Sequence, residues 1–407
     1  MEHSSEIISN YLKSEIARGS FPGAQYLIGE DQRIVAEDAL GWAVLEPERI
    51  PVTLDTIYDL ASLTKPLVTS LTTIMLVERG LLDLSAPLSR YLSEFREESL
   101  PEITLIELLT HRSGLPNWRP LYVEAQAREE VPATIASVAR ETRASVPAEV
   151  LYSDLNYILL GFVLERLTGE RLDHLAAREI FEPLGLNRTM FNPPRNLIRE
   201  IAATEHGQQF ELANAMADVR TRGDSGTIRQ LSSRGNVQRS SLFPASMPGP
   251  RLSASPRRDP WRTEVIWGEA HDGNAHFMDG VAGHAGLFST ARDVFRIANQ
   301  FLEGSELLKP ESLHWFSDNL TLGCDTSRSI GWILAKTPGC SAGPSFPPDG
   351  IGHNGFTGGS LWMDPARRRV FILFTNRVHP HVDTIDMREI RQRFNALAIE
   401  TVSGYAS

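Results

Sequence analysis

In the run Ala61-Ser62-Leu63-Thr64-Lys65-Pro66 of this 407-residue chain, a hydroxyl and an amine stand three positions apart, just after Ile57-Tyr58-Asp59-Leu60. Residues so spaced share one face of a helix, with Cβ atoms about 5 to 6 Å apart. That geometry suits a nucleophile and its base. A serine hydroxyl attacks weakly until a neighbour takes its proton, and a lysine can take it only when neutral. The amino-terminal end of a helix disfavours the ammonium and so helps. Taken alone, the same spacing also fits an ordinary capped helix.

Three further features converge on the same chemistry. Tyr152-Ser153-Asp154 places a phenol and a carboxylate immediately before an apolar helical run that starts at Leu155. Gly352-His353-Asn354-Gly355-Phe356-Thr357-Gly358-Gly359 leads into a strand, and its glycines let an edge strand lie close to a substrate with N–H groups aimed at a developing oxyanion. Leu109-Thr110-His111-Arg112-Ser113-Gly114-Leu115 reads as a turn in which His111 fixes a helix end, and Gly283-His284-Ala285-Gly286-Leu287-Phe288-Ser289-Thr290-Ala291 follows far downstream. Histidines are densest at His271-Asp272, His276 and His284, but their spacing matches no helical ligand pair, so neither a metal nor a cofactor is expected. His271 and Asp272 either order their loop or touch the substrate. Arg377 is either a carboxylate anchor or a structural cation.

The elements that must hold these residues are legible in the periodicity. The amino terminus reads as an amphipathic helix, and GAQYLIGE with QRIVAEDALGWA alternates apolar and polar residues around a turn, as a half-buried antiparallel hairpin does. A mostly apolar helix is expected over residues 62–79, stopped by Gly80. Residues 81–205 carry helical periodicities and turn punctuation and read as a helical subdomain. Strand signals resume at GLFST and continue through SIGWILAK, GGSLWMDP and RRRVFILFTN before a last helix from about residue 384. The expected fold is therefore of the α+β type: an antiparallel sheet assembled from residues 1–80 and 283–407, flanked by helices, with the helical subdomain inserted. Residues 206–259 are rich in Ser, Gly, Arg, Pro and Gln, with eight basic against four acidic residues, and read as a flexible insertion. Residues 260–282 then form a cleft-bordering loop.

Bulk properties exclude several classes. A net charge of -11 opposes a nucleic-acid partner, since phosphate binding needs a basic face. No apolar stretch approaches the roughly 20 residues needed to span a bilayer, and the amino terminus lacks the apolar core of a secretory signal. Two cysteines, Cys324 and Cys340, match no zinc or redox spacing. A cytoplasmic protein acting on a small molecule is expected.

Together these four motifs, in this order over nearly the whole chain outside residues 206–259, resemble the serine β-lactamase and penicillin-binding-protein family, in particular its class C β-lactamase, D,D-peptidase and family VIII esterase branch. The resemblance implies a β-lactamase/transpeptidase-like fold and an acyl-enzyme on Ser62. It implies Lys65 as general base, Tyr152 as proton shuttle, and the N–H groups of Ser62 and Phe356 as the oxyanion hole. Asp154 stands where that family usually has Asn, adding a negative charge that favours protonated Lys65 and disfavours an anionic ligand, and His353-Asn354-Gly355 stands where it has Lys-Thr-Gly. A histidine near its reference pKa of about 6.5 is mostly neutral at pH 7, so anionic substrates lose a fixed cation. The expectation is an esterase-like hydrolase of a small ester or amide. The alternatives are β-lactamase or D,D-peptidase/D-aminopeptidase activity, or a catalytically weak binding protein of the same fold.

Overall fold

The computed structural model describes residues 2–100, 102–142, 149–223 and 261–403. Ten strands occur among them: β1 Gly23–Glu30, β2 Arg33–Val44, β3 Ile50–Pro51, β4 Tyr58–Asp59, β5 Met190–Phe191, β6 Leu287–Ser289, β7 Ile333–Leu334, β8 Ile351–Asn354, β9 Ser360–Asp364 and β10 Arg369–Thr375. Seven form an antiparallel sheet in the order β3-β2-β1-β10-β9-β8-β7. Its centre joins the two ends of the chain, with Ala24 opposite Thr375 and Glu30 opposite Arg369. The expected hairpin is β1–β2, closed by Asp31 and Gln32, both at positive φ, the conformation whose twist matches paired strands.

Alternation along the central strands decides what covers each face. Ala24, Tyr26 and Ile28 of β1, with Phe371 and Leu373 of β10, pack under the helices Glu2–Ala17 and Met387–Ser403 through Ile8, Leu12, Phe394 and Leu397. Leu27, Val370, Ile372 and Phe374 point the other way, into the large core shared with helix Ala291–Ala298 and the helical region. Both faces are thus buried, and the strands read as nearly continuous apolar runs. A second, three-stranded sheet, β4-β6-β5, lies beside the Ser62 turn.

The structure differs from the sequence expectations in two places. Residues 62–79 are not one regular helix: a 3₁₀ turn Ala61–Leu63 leads into a π-helical Lys65–Ser70 and only then the α-helix Leu71–Glu78. Pro66, with no N–H to give, falls where a regular ladder would begin. The flexible insertion expected over residues 206–259 is corrected in its first part, because Gln209–Thr221 form a helix whose Ala215 and Val219 are buried beside Trp118 and Trp261. A composition averaged over the whole stretch concealed this short amphipathic segment. Residues 224–259 lie outside the described residues. No helix among the described residues is long and apolar enough to cross a membrane.

Helix Asp154–Thr168 crosses the chain at Gly283 so closely that a Cβ there would lie 2.1 Å from the Tyr157 carbonyl oxygen. The Gly283 carbonyl also accepts Thr69 Oγ1 at 2.7 Å. Gly283→Ala should therefore force backbone apart and cost about 1–3 kcal/mol. We expect a melting temperature lower by several degrees, at about 2–4 °C per kcal/mol for a large domain. An unchanged melting temperature would show that the crossing yields freely.

Candidate active site

Ser62 is held at the end of β4 by a short, constrained turn. Ala61 has a φ of 45°, and its N–H donates to the Asp59 carboxylate at 2.8 Å. Asp59 is buried, and its other oxygen accepts the His271 N–H at 2.8 Å. Burial pushes the Asp59 carboxyl above its ordinary value even though two N–H groups pull it down. Ser62 faces a cleft of about 870 Å³.

Below it, Lys65 is 0% exposed, with Nζ 2.8 Å from Ser62 Oγ, 3.2 Å from the His284 carbonyl oxygen and 2.8 Å from Asp154 Oδ1. Burial disfavours the ammonium, but the Asp154 carboxylate, with Tyr152 adding to it, pushes harder the other way, and Lys65 holds its proton more tightly than a free lysine. The Asp154 carboxylate thus favours the protonated form of Lys65. Asp154 stands in the first turn of helix Asp154–Thr168, where the helix dipole favours an anion.

Tyr152 is fixed through His111. The His111 carbonyl accepts the Leu151 N–H at 3.0 Å and its Nδ1 accepts the Ser153 N–H at 3.0 Å, so one residue clamps the backbone on both sides of the tyrosine. That bond assigns the proton to Nε2, and burial, then the charges of Arg328 and Lys65, keeps His111 well below its ordinary value and neutral. His111 also stacks on Tyr152 at 4.5 Å between centroids. The ring of Tyr152 has Lys65 Nζ at 5.0 Å and Arg328 Cζ at 5.3 Å from its centroid.

The opposite wall comes from β8 and the turn after it. His353 Nδ1 donates to the Asn354 carbonyl at 2.9 Å, which leaves Nε2 as an acceptor. Burial, Lys65 and Arg328 push His353 well below its ordinary value, and its ring centroid lies 5.8 Å from that of Tyr152. Asn354 accepts from Ser341 Oγ at 2.9 Å. Gly355 approaches so closely that a Cβ would sit 2.6 Å from the Leu60 carbonyl oxygen, and Thr357 Oγ1 donates to the Asp59 carbonyl at 2.7 Å. These two contacts bind the turn to the Ser62 strand. Among the described residues neither the Ser62 nor the Phe356 N–H is used by another acceptor, so both are available to an oxyanion. Arg377 Nε donates to the Phe356 carbonyl at 2.8 Å while its guanidinium lies 4.6 Å from the Phe356 ring, and Arg391 donates to the Gly355 and Gly359 carbonyls.

The histidine cluster is organised by carboxylates. His271 pairs with Glu205 at 3.0 Å and stacks on Phe356, His276 lies 3.3 Å from Glu269, and His284 Nε2 lies 2.9 Å from Asp272. Burial pushes Asp272 up, but His284 pulls it further down, and it remains an anion. It also caps helix Gly273–Phe277 through the Ala275 N–H at 2.7 Å. The Asp272–His284 pair therefore steadies the carbonyl that Lys65 uses. The structure thus gathers Ser62, Lys65, Tyr152, Asp154, His353 and the Phe356 turn around one cleft, with Asn354, Gly355, His271, Asp272 and Arg377 on its walls. Sequence reasoning missed Asp59, Glu205, Arg328 and Arg391. Only Asp59 had a signal, its place just before the Ser-x-x-Lys run.

The geometry agrees with the relatives of the chain. A family model described as Beta-lactamase matches residues 7–395. An N-acetylmuramyl-L-alanine amidase of Bacillus subtilis (strain 168) is 29% identical over 405 residues, covering 92% of this chain and 81% of the relative. A Salmonella agona (strain SL483) protein, named provisionally as a D-alanyl-D-alanine carboxypeptidase, is 28% identical over 406 residues, covering 92% and 83%. Among solved structures, EstCE1, a hydrolase with promiscuous acyltransferase activity, superposes with a TM-score of 0.68 at 19% identity, covering 97% of this chain and 99% of the other. A penicillin-binding protein homolog from Caulobacter crescentus gives 0.68 at 18% identity, covering 98% and 97%. At such identities the structural likeness establishes the fold, and the family match across residues 7–395 establishes the rest: the chain belongs to the Beta-lactamase family.

Proposed function

We propose that the protein is a serine hydrolase that acts through an acyl-enzyme on a small ester or amide, with Ser62 as the nucleophile. The observation that carries this reading is a serine hydroxyl 2.8 Å from a fully buried lysine ammonium, at the floor of a cleft with two free backbone N–H groups beside it. Nothing in the packing of a core requires that arrangement.

Proton traffic follows from the charges. Lys65, held as an ammonium, donates to the Ser62 oxygen and cannot absorb a net proton. The acceptor is Tyr152: as the Ser62 hydroxyl gives its proton toward Lys65, Lys65 gives one to the phenolate oxygen of Tyr152, and the ammonium is restored. Attack on the carbonyl carbon leaves an oxyanion at the Ser62 and Phe356 N–H groups. Tyr152, now a phenol, protonates the leaving group. Water then attacks the acyl-enzyme by the reverse of these transfers.

The substrate class rests on charge and size. The cleft is large enough for a small molecule and presents Trp118, Phe210 and Phe356 together with polar groups. Where a lysine would anchor a carboxylate, His353 is neutral. This favours neutral esters and amides. The amidase and carboxypeptidase names of the relatives favour the amide alternative within that class.

Ser62→Ala and Lys65→Ala should each abolish hydrolysis of a short-chain nitrophenyl ester, because residues acting as one unit cost nearly as much singly as together. Intact-mass spectrometry should show one fluorophosphonate adduct on the wild type and none on Ser62→Ala. An adduct on Ser62→Ala, or residual activity above about a tenth of wild type in either variant, would reject the assignment.

Asp154→Asn tests the ion pair through pH. In the wild type the pair raises Lys65, so its stabilisation is present below the unfolded lysine value of about 10.4 and lost as pH rises through the higher folded value. In the variant the largest opposition to burial is gone, so the folded Lys65 holds its proton less tightly than in the wild type and less stability is lost as pH rises. The melting-temperature gap between the two proteins should be widest near neutral pH, equivalent to about 1.5–3 kcal/mol for a bond to a charged group, and should close in alkaline buffer. A gap independent of pH would exclude Lys65 as its source.

His353→Lys restores a cation to the strand. Acylation by a penicillin, measured against acylation by a neutral ester, should rise by about one to two factors of ten. Efficient penicillin turnover by the wild type, or an unmoved ratio, would overturn the proposed substrate preference.

A further inference from the structure

Arg328 lies just ahead of β7, with its backbone clamped: its N–H donates to Thr321 Oγ1 at 2.9 Å and its carbonyl accepts the Leu320 N–H at 2.8 Å. The residue is 7% exposed and lines the cleft. Among the described residues its side chain makes no ion pair, and its buried Nε and Nη1 have no hydrogen-bond acceptor. An unpaired guanidinium in such a place is costly, and structures keep one where its charge is used. Its Cζ lies 5.3 Å from the centre of the Tyr152 ring, and its charge is felt also by Tyr157, His111 and His353.

A charge count around Tyr152 shows what that charge can serve. His111, Tyr157 and His353 are neutral, and Lys65 and Asp154 cancel as an ion pair. Arg328 is then the one cation in the group without a counter-charge. A phenolate formed on Tyr152 during the proton transfer proposed above would supply it.

We propose that Arg328 is a positioning residue for proton transfer: seated over the Tyr152 ring, its guanidinium stabilises the phenolate that takes up the proton of Ser62. The inference rests on Tyr152 as the proton acceptor, and it deepens that reading. Removing the charge makes the phenolate harder to form and leaves the substrate-binding groups in place. A role as a substrate anchor fits less well, since bidentate carboxylate recognition needs an accessible nitrogen fork and here Nε and Nη1 are buried.

The test compares wild type, Arg328→Gln, Arg328→Lys, Tyr152→Phe and Arg328→Gln/Tyr152→Phe, using a neutral nitrophenyl ester and a carboxylate-bearing ester across pH. Arg328→Gln should lose about ten- to a hundredfold in kcat/KM at pH 7 on both esters, with the acid limb moved up by about one to two pH units, the scale of one charge at this separation in a partly buried site. Activity should recover as pH rises, and Arg328→Lys should keep the limb near its wild-type position. In the Tyr152→Phe background the Arg328 substitution should add nothing. A loss uniform in pH, a loss confined to the carboxylate-bearing ester, or additive losses in the double variant would overturn the proposal. Wild-type activity in Tyr152→Phe would instead remove the reading on which it rests. If Arg328→Gln does not fold, Arg328→Lys decides: a limb displaced by more than about one unit rejects the role of the charge.

Discussion

A lysine ammonium with no access to water sets the terms for everything around it. Taking such a charge out of water costs several kcal/mol, and only a nearby counter-charge and full hydrogen bonding recover it. Three parts of the chain meet at Nζ to do so: the Ser62 turn, the first turn of helix Asp154–Thr168, and the His284 carbonyl 219 residues away in sequence. None can shift without exposing or stranding the charge. The π-helical Lys65–Ser70 and the tight crossing at Gly283 are the backbone geometry that lets these parts converge.

The same economy ties the sheet to this centre. Asp59 gives one carboxylate oxygen to the Ala61 N–H and the other to the His271 N–H, while its carbonyl takes the Thr357 hydroxyl. One residue thereby links the Ser62 turn, the His271 loop and the turn that carries the Phe356 N–H. The Ser62 and Phe356 N–H groups, the proposed oxyanion donors, each adjoin a residue tied to Asp59, so their spacing is set when the protein folds. Gly355 completes the approach, because any side chain there would strike the Leu60 carbonyl.

What could be read from the sequence was whatever depends on local pattern. Alternation exposed β1 and β2 and β-rich runs exposed β9 and β10, while the Ser62–Lys65 spacing, Tyr152-Ser153-Asp154 and His353-Asn354-Gly355 marked residues that the fold brings to one cleft, with Lys65 buried against Ser62. What could not be read depends on partners distant in the chain. The resemblance puts the Asp154 charge near Lys65, but the 2.8 Å contact between its Oδ1 and the amine, across 89 residues of sequence, comes only from the fold. Arg328 sits in a Ser- and Thr-rich segment that resembles any polar loop, and its place over Tyr152 arises only once β7 is paired. The helix Gln209–Thr221 was hidden because only Glu211, Ala215 and Val219 of it are buried, too few to stand out in a polar stretch.

The two departures from the resembled motifs make physical sense as a pair. Asp154 in place of an amide adds a negative charge beside Lys65, which favours the ammonium. His353 in place of a lysine removes a positive charge from the facing strand, and burial keeps the imidazole neutral. With both changes β8 presents a neutral acceptor, Nε2 of His353, to the cleft, while Arg328 lies over the Tyr152 ring and Arg377, Arg388 and Arg391 also line the cleft. The fixed strand lysine of the resembled motif is thus replaced by a neutral imidazole, and the proposed preference for a neutral substrate rests on that one exchange.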